Sequence, residues 1–339
     1  MKYFVIIGTR PEAIKMAPVI LELRQRNHPV IVCSTGQHKE MLNQVLNTFS
    51  LQADFELDVM VPNQSLVGLS AELLFRLDSV LRAEKPDWIL VQGDTTSVLI
   101  ASLCSYYNRI RIGHVEAGLR SFDKYSPFPE EINRQCVSRM ADMHFAPTQA
   151  AVENLLNEGI ISSSVILTGN TVVDALRLFR EELTQEDIPE KIRTCLSKGS
   201  RIVLITCHRR ESFGKPLLNI FAAVKRLALA FPDTTFCYPV HLNPQVRERA
   251  LTAFKNTANI LLLETLVYRE YMATMSNSYI IMSDSGGVQE EAPSFGIPLL
   301  ILREVTERPE RIIAGVAKLL GSDDNKIFSV TSALLSSTT

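Results

Sequence analysis

Short apolar runs alternate with amphipathic stretches along this chain, and that alternation limits the fold more than any other feature. Strands that are apolar throughout and linked by helices are typical of a parallel sheet covered on both faces. The first half of the chain has six such strands, with six helices between them. We predict strands at Tyr3–Ile7, Val30–Ser34, Trp88–Val91, Arg111–His114, Met143–Ala146 and Ile166–Leu167, and helices at Ala13–Arg24, Lys39–Phe49, Leu66–Ala83, Thr96–Tyr107, Ile132–Met140 and Gln149–Asn157.

The same pattern restarts after a break around Thr171–Gly199, whose charge-rich second part carries Pro189. A chain of 339 residues is long enough for two domains. We therefore predict an α/β protein with two doubly wound, Rossmann-like domains, residues 1–170 and 171–339, that face each other across a cleft. The second set has strands at Ile202–Thr206, Thr235–Pro239, Ile260–Leu262, Tyr279–Met282 and Leu299–Leu302, and helices near Leu217–Ala230, Pro244–Phe254, Glu270–Met275 and Val288–Phe295.

The composition excludes several classes of protein. A net charge of −2, with Lys and Arg scattered, argues against nucleic acid as the main partner. No apolar run reaches membrane-spanning length, and the apolar start of the chain stops at Gly8, so we interpret it as a strand rather than a targeting segment. The six cysteines have neither zinc nor disulfide spacing, which favours buried thiols in a reducing cytoplasm and predicts no metal site.

A diglycine turn follows one strand of the second domain, in the run SDSGGVQEE. Unpaired N–H groups and the helix dipole at Ser285, Gly286 and Gly287 would suit a phosphate. The carboxylates of Glu290 and Glu291 would repel a bare phosphate, but a carboxylate can accept hydrogen bonds from both ribose hydroxyls. This combination of groups predicts a binding site for a nucleoside diphosphate. A simpler explanation is a tight turn with acids in a first helical turn, where the dipole favours them anyway.

Three acids follow strands of the first domain and should share one rim of its sheet: Asp94, Glu116 and Glu130. Each also has a simpler explanation, since Asp94 could cap the next helix, Glu116 could pair with Arg120, and Glu130 could only complement a helix dipole. Three acids at one rim would raise the pKa of at least one, as proton transfer requires.

Basic residues follow strands of both domains. In the first domain, Arg10 and Lys15 lie in a loop that is neither a dinucleotide fingerprint nor a Walker loop. That loop could also be a capped turn with solvated charges. In the second domain, His208, Arg210 and His241 come at strand ends. One residue of the basic run at 208–210 could only pair with Glu211, and His241 could be a core histidine. A further loop, 303–310, adds hydroxyl and guanidinium donors. Acids on one domain and cations on the other predict a nucleotide sugar that bridges the cleft.

The motifs also resemble those of a known family, the bacterial non-hydrolysing UDP-N-acetylglucosamine 2-epimerases. The resemblance covers nearly the whole chain, in order. It implies the glycosyltransferase-B arrangement of two Rossmann-like domains, a dimer, and the interconversion of UDP-N-acetylglucosamine and UDP-N-acetylmannosamine for surface polysaccharides. The matching runs are GTRPEAIKMAP, QGDTTS, GHVEAGLRS, YSPFPEEINR, TGNTVVDAL, HRRESFG, YPVHLNP, SDSGGVQEEAPSFG and VTERPE.

The resemblance implies a reaction that needs neither NAD nor a metal. The C2 proton of the sugar is barely acidic until the bond from C1 to UDP breaks. Elimination would give 2-acetamidoglucal and UDP, and UDP would add back after protonation on the other face. That route requires acids on both faces of C2 and cations on the leaving diphosphate.

Site residues carry over motif by motif, without indicating which acid serves which face. The proton-transfer group would be Asp94, Glu116 and Glu130, with His208 on the leaving phosphate. The substrate-binding set would be Arg10, Lys15, Arg134, Arg210, His241, Ser285, Gly286, Gly287, Glu291 and Arg308. UDP-N-acetylglucosamine and UDP are thus the expected small-molecule partners.

Two features depart from the family pattern. Many members bind a second UDP-N-acetylglucosamine as an activator, through a Gln-His-x-Gln run and an Arg before Gln-Thr-Leu. Here the first run begins at Gln37 and ends in Glu40, and Asn63 takes the place of the Arg, so both expected donors are lost. We predict weak or absent activation; a sigmoidal substrate curve that is abolished by changing Gln37 would contradict this. The chain also ends before the family's closing helix, which usually returns to the first domain, and this would affect domain coupling.

Other functions remain open at this point. A hydrolysing epimerase would share the elimination step but release N-acetylmannosamine and UDP. A glycosyltransferase on the same fold would not need three acids, and a catalytically silent nucleotide-sugar sensor would need neither Asp94 nor Glu130.

Overall fold

A computed structural model describes residues 1–36, 39–59, 61, 64–207, 214–240, 244–304 and 317–337. The chain divides into two compact units, Met1–Phe179 and Arg180–Thr339. This division falls inside a helix, a few residues after the predicted boundary at 170.

The first unit is built on a parallel sheet, which in the described residues has seven strands in the order β3-β2-β1-β4-β5-β6-β7. The order reverses between β1 and β4, and at such a point the loops that follow the two strands diverge and leave a crevice. The strands are β1 Tyr3–Ile7, β2 Val30–Ser34, β3 Phe55–Glu56, β4 Trp88–Gln92, β5 Arg111–Val115, β6 Met143–Ala146 and β7 Val165–Leu167.

Helices cover this sheet. On the longest of them, α3, the leucines at 69, 73, 77 and 81 recur every fourth residue, so they form one buried stripe that packs in a cluster with Phe4 and Ile89. The helices are α1 Arg10–Gln25, α2 Lys39–Thr48, α3 Leu66–Glu84, α4 Thr96–Tyr107, α5 Glu130–Met140, α6 Gln149–Asn157 and α7 Val172–Glu182.

The second unit repeats the architecture. Its described strands form a six-stranded parallel sheet in the order β10-β9-β8-β11-β12-β13, which reverses between β8 and β11. The strands are β8 Arg201–Thr206, β9 Thr234–Pro239, β10 Ile260–Leu263, β11 Ile280–Ser283, β12 Leu299–Ile301 and β13 Ala317–Leu319. The helices are α8 Glu190–Ser197, α9 Lys215–Ala230, α10 Pro244–Ala253, α11 Tyr268–Ser276, α12 Gly286–Glu291 and α13 Asp324–Ser336.

The predicted fold class, two parallel α/β sheets, is confirmed. Two short strands, β3 and β13, and three helices, α7, α8 and α13, were not predicted from the sequence. Two of those helices occupy the segment that was interpreted as a break, because its charged residues lie on exposed helix faces. Among the described residues no helix is long and apolar enough to cross a membrane.

The cysteines are all free, and four of the six are buried. Cys33, Cys104, Cys207 and Cys237 are the buried ones, as predicted for small thiols in strands and helices. Cys136 is exposed on α5 and Cys195 is partly exposed on α8, so the prediction of burial is wrong for these two.

Candidate functional site

The turn between β1 and α1 is held by Glu12, a carboxylate that was not singled out from the sequence. Glu12 is only 3% exposed, and its Oε2 accepts hydrogen bonds from the backbone N–H of Gly8 at 2.5 Å and of Thr9 at 3.2 Å. Gly8 is required for steric reasons, because a Cβ there would lie 2.8 Å from the Thr35 hydroxyl and 2.9 Å from that of Ser97.

Glu116 contacts three other polar side chains of the first unit's site. It follows β5 with a φ of +62°, a left-handed conformation that is unusual for a residue with a side chain, and its side chain is 7% exposed. The Lys15 ammonium lies 2.7 Å from each carboxylate oxygen, Asn170 donates to Oε1 at 3.0 Å, and Gln92 donates to Oε2. These four contacts fix the direction of the Glu116 carboxylate.

Two of the simpler explanations for these charges are therefore wrong. Glu116 does not pair with Arg120, whose guanidinium instead binds Glu158 at 2.6 and 2.8 Å. Lys15 is not a solvated charge, since its side chain is 12% exposed and bound to Glu116.

Asp94 lies at the carboxyl end of β4, one residue after the turn at Gly93. An Arg134 Nη lies 2.6 Å from its Oδ2, and the Asn133 amide donates to its backbone carbonyl at 2.9 Å. Asp94 does not cap the next helix. That position belongs to Thr95, whose hydroxyl accepts from the Val98 N–H at 3.3 Å.

The three predicted acids interact electrostatically, as expected from the sequence. The pKa of Asp94 is raised to about 6, mainly by burial of its carboxyl and further by the charges of Glu116 and Glu130, while Arg134 and Lys15 lower it. Glu130 is the first residue of α5 and is partly exposed. A carboxyl whose pKa is about 6 can both take up and release protons near neutral pH.

The diglycine segment of the second unit lies at the carboxyl end of β11, beside the point where the strand order reverses. Ser285 precedes α12, and Gly286 and Gly287 form its first turn. The prediction that the helix begins after the glycines is corrected by two residues. Glu290 and Glu291 consequently come at the end of α12 and not in its first turn, which removes the dipole explanation for them.

Residues that connect this segment to the rest of the sheet are buried. The Ser283 hydroxyl accepts from the Thr206 hydroxyl at 2.7 Å and from the Ser285 N–H at 2.9 Å, which ties the ends of β8 and β11 together. Glu291 is 9% exposed. The shape of the loop that follows β11 is thereby fixed by hydroxyls of its own sheet.

Four predicted site residues lie outside the described residues, namely His208, Arg210, His241 and Arg308. The same holds for Gln37 and Asn63 of the expected activator contacts and for the side chain of Glu40. Arg10 is described as the first residue of α1, and it is partly buried.

The structure adds polar residues to which the sequence alone assigned no role: Glu12, Gln92, Thr95, Asn133 and Asn170. The sequence did contain a signal for Glu12. A Glu three residues after a Thr is the spacing of a capping box, and Thr9 and Glu12 have that spacing. The other residues lie within the quoted motifs, but only the fold shows that they contact Asp94, Glu116 or Glu12.

Comparison with known proteins identifies relatives of this chain. A family model described as UDP-N-acetylglucosamine 2-epimerase matches residues 21–339. The UDP-N-acetylglucosamine 2-epimerase of Neisseria meningitidis is 46% identical, covering 99% of this chain and 91% of that protein. The enzyme of the same name from Bacillus subtilis is 44% identical, covering 99% of this chain and 87% of its own length.

Solved structures agree. A putative UDP-N-acetylglucosamine 2-epimerase from Listeria monocytogenes superposes with a TM-score of 0.92 at 41% identity, covering 99% of this chain and 88% of that one. The Neisseria meningitidis enzyme, solved bound to UDP-GlcNAc, gives a TM-score of 0.88 at 46% identity, covering 99% of this chain and 91% of that one.

Proposed function

Because the chain belongs to the UDP-N-acetylglucosamine 2-epimerase family, we propose that it interconverts UDP-N-acetylglucosamine and UDP-N-acetylmannosamine reversibly. The reaction proceeds by elimination of UDP and its re-addition to 2-acetamidoglucal. The observation that carries this proposal is the acid cluster at the carboxyl end of the first sheet, in which Asp94 has a pKa of about 6 beside Glu116 and Glu130.

The chemistry balances in two steps. First the C1–O bond to UDP breaks, with the electron pair leaving on the phosphate oxygen, and a carboxylate takes the C2 proton as the C1–C2 double bond forms. Then a carboxylic acid on the opposite face returns a proton to C2, and the UDP oxygen attacks C1. A base and an acid on opposite faces are both required, and Asp94, Glu116 and Glu130 are our candidates.

The buried contacts suggest how the proton-transfer group is kept ready. We propose that Lys15 acts mainly by orienting Glu116, since its ammonium lies 2.7 Å from both carboxylate oxygens. Arg134 would hold Asp94 in place until substrate binds, because it lies 2.6 Å from that carboxylate. Arg10 completes the proposed substrate contacts of the first unit.

We assign the nucleotide half of the substrate to the second unit. Ser285, Gly286 and Gly287 would hold a phosphate, and Glu291 would accept hydrogen bonds from the ribose hydroxyls. The Neisseria meningitidis relative, which was solved bound to UDP-GlcNAc, supports a nucleotide-sugar site in the family. By motif alone, His208 would act on the leaving phosphate, Arg210, His241 and Arg308 would bind substrate, and the protein would be a homodimer.

Phosphorus NMR of the purified protein with UDP-N-acetylglucosamine tests this proposal against a hydrolysing epimerase. We expect the diphosphate signals of two nucleotide sugars to approach a constant ratio, because UDP stays bound until it adds back. Accumulation of free UDP in proportion to the substrate consumed would show hydrolysis and would overturn the reversible mechanism. No change in the spectrum would overturn the proposed activity itself.

A further inference from the structure

We propose that Glu12 is a positioning residue that locks the β1–α1 turn to the β4–α4 turn and thereby fixes Asp94 for proton transfer. The inference rests on the role proposed for Asp94 above. It concerns a side chain that the family motifs include but to which the reaction scheme assigns nothing.

Glu12 uses both of its oxygens, one for each turn. Oε2 accepts from the backbone of Gly8 and Thr9, which follow β1. Oε1 accepts from the Thr95 hydroxyl at 2.9 Å, and Thr95 follows β4. These two strands are neighbours at the reversal of strand order, where their loops diverge. A single buried carboxylate therefore bridges the two diverging loops that follow β1 and β4.

Asp94 is adjacent to Thr95 and is held from the opposite side by α5. Asn133 binds its backbone carbonyl at 2.9 Å, and Arg134 lies 2.6 Å from its carboxylate. The Glu12–Thr95 bond is thus the contact that restrains this turn from the side of α1.

Burial of this carboxylate is costly, which argues for a purpose beyond capping α1. Glu12 is 3% exposed, and burial raises its pKa to about 7 although its hydrogen bonds lower it. A capping box needs only the bond from the Thr9 N–H to Glu12, whereas Glu12 also accepts from the Gly8 N–H and the Thr95 hydroxyl. The described residues give Glu12 no cationic partner, so its neighbours are the two turns it joins.

Loss of this bridge should change the surroundings of Asp94 as well as the rate. Four charged groups face Asp94, namely Arg134 and Lys15, which lower its pKa, and Glu116 and Glu130, which raise it. Burial is the largest influence on its pKa. A β4–α4 turn released from Glu12 admits water to Asp94, and the pKa then moves towards the ordinary aspartate value.

The test uses Glu12→Ala and Thr95→Val, each of which breaks the bond from one side, in the full chain. We expect kcat with UDP-N-acetylglucosamine to fall about tenfold or more in each variant with little change in KM, since misplaced catalytic groups slow chemistry more than binding. Glu12→Ala also removes the acceptor of the Gly8 and Thr9 N–H groups, and Thr95→Val also removes the cap of α4, so part of each loss is independent. Because the Glu12–Thr95 bond is shared, the double variant should be slower than either single variant by less than the product of the two separate effects.

A carbon NMR titration of labelled aspartate carboxyls, with the Asp94 signal assigned by its absence in Asp94→Asn, separates positioning from general damage. We expect the Asp94 midpoint to fall by about half a unit or more in both variants. Asp142→Asn is the matched control, because Asp142 also accepts a backbone N–H, that of Ile112 at 2.7 Å, but at the amino end of β5. It should alter neither the midpoint nor kcat.

The inference is overturned if the Asp94 midpoint and kcat of folded Thr95→Val match those of the wild type, whatever the fate of Glu12→Ala. A lower kcat with an unmoved midpoint would also overturn it, because a merely smaller folded fraction gives that result. The titration needs no turnover, so a wild-type protein without epimerase activity would overturn the proposed function and leave the positioning result readable on its own.

Discussion

At the scale of single residues, we assign Asp94 as a proton carrier. Replacing it by Asn keeps the shape and removes the titrating group, so we expect kcat to fall by about 100-fold or more. Binding of UDP, measured by calorimetry, should survive because the nucleotide contacts are assigned to the other unit. Loss of turnover and UDP binding together, with a lowered melting temperature, would mean that Asp94 is structural.

Glu12 gives a stability prediction whose sign follows from its pKa. This carboxyl has a pKa of about 7 when folded and near its ordinary value of 4.5 when unfolded, so the native state binds the proton more tightly. The tighter binding of this proton adds to the free energy of unfolding. That contribution is complete below about pH 4.5 and is lost as the pH rises through 7. Glu12→Gln cannot ionise. Its free energy of unfolding, from urea titrations, should rise relative to wild type by on the order of 2–3 kcal/mol between those limits. If the difference in free energy of unfolding between Glu12→Gln and the wild type did not change with pH, the raised pKa of Glu12 would be contradicted.

The sequence identifies the charged residues of the site but not their partners. Asp94 and Glu116 were predicted from their places just after buried strands, where a lone carboxylate is rarely buried. The pairing of Glu116 with Lys15 spans 101 positions, and Arg120, only four residues away, was the obvious local partner. Gln92 and Asn170 were missed for the same reason, since an amide has no chemistry of its own until the fold places it on a carboxylate.

At the scale of elements, the loop after β5 requires a glycine for two reasons. Gly118 has a φ of +89°, and a Cβ there would lie 2.3 Å from the Ala151 carbonyl oxygen at the start of α6. Gly159 is a matched control, because its φ is +80° but a Cβ added to it would have nothing within 4 Å.

We expect Gly159→Ala to cost about 1 kcal/mol of unfolding free energy through backbone strain alone. Gly118→Ala should cost roughly 2 kcal/mol more, because α6 must also move away from the loop. Equal losses in urea unfolding would contradict the close approach of these two elements.

Element boundaries show where sequence patterns fail. Long elements with a clear period, such as α3 and α4, were predicted almost to the residue. β3 has only two residues, which is too short for any periodic pattern to show. β13 has Lys318 at its centre, so it lacks the continuous apolar run from which the other strands were predicted. α12 begins at two glycines, which are poor helix formers, so propensity placed its start after them.

At the scale of the whole molecule, alternation in the sequence predicted two parallel sheets but could not give their strand order. Strand order depends on which strands pair with each other. Pairing is decided by the packing of distant segments and not by the alternation of apolar and amphipathic runs along the chain. The reversals between β1 and β4 and between β8 and β11 explain why the acids and the diglycine turn each lie at a crevice of their own sheet.

The first unit also extends past the boundary predicted at residue 170. Phe179 on α7 is 1% exposed and packs on Phe49, with ring centroids 5.7 Å apart. A fragment of residues 1–182 should therefore be more stable than one of residues 1–170 by about 3 kcal/mol or more, the usual cost of deleting a buried aromatic side chain. Thermal unfolding of the two fragments checks this, and equal melting temperatures would contradict it.

Deuterium incorporation tests the central claim most directly, namely that the acid cluster exchanges the C2 proton of a nucleotide sugar. The protein is incubated with UDP-N-acetylglucosamine in deuterated water, and the products are followed by proton NMR and mass spectrometry. We predict deuterium at C2 of both UDP-N-acetylglucosamine and UDP-N-acetylmannosamine, and none with Asp94→Asn. Epimerised product that retains protium at C2, or substrate that is bound but never labelled, would contradict that claim.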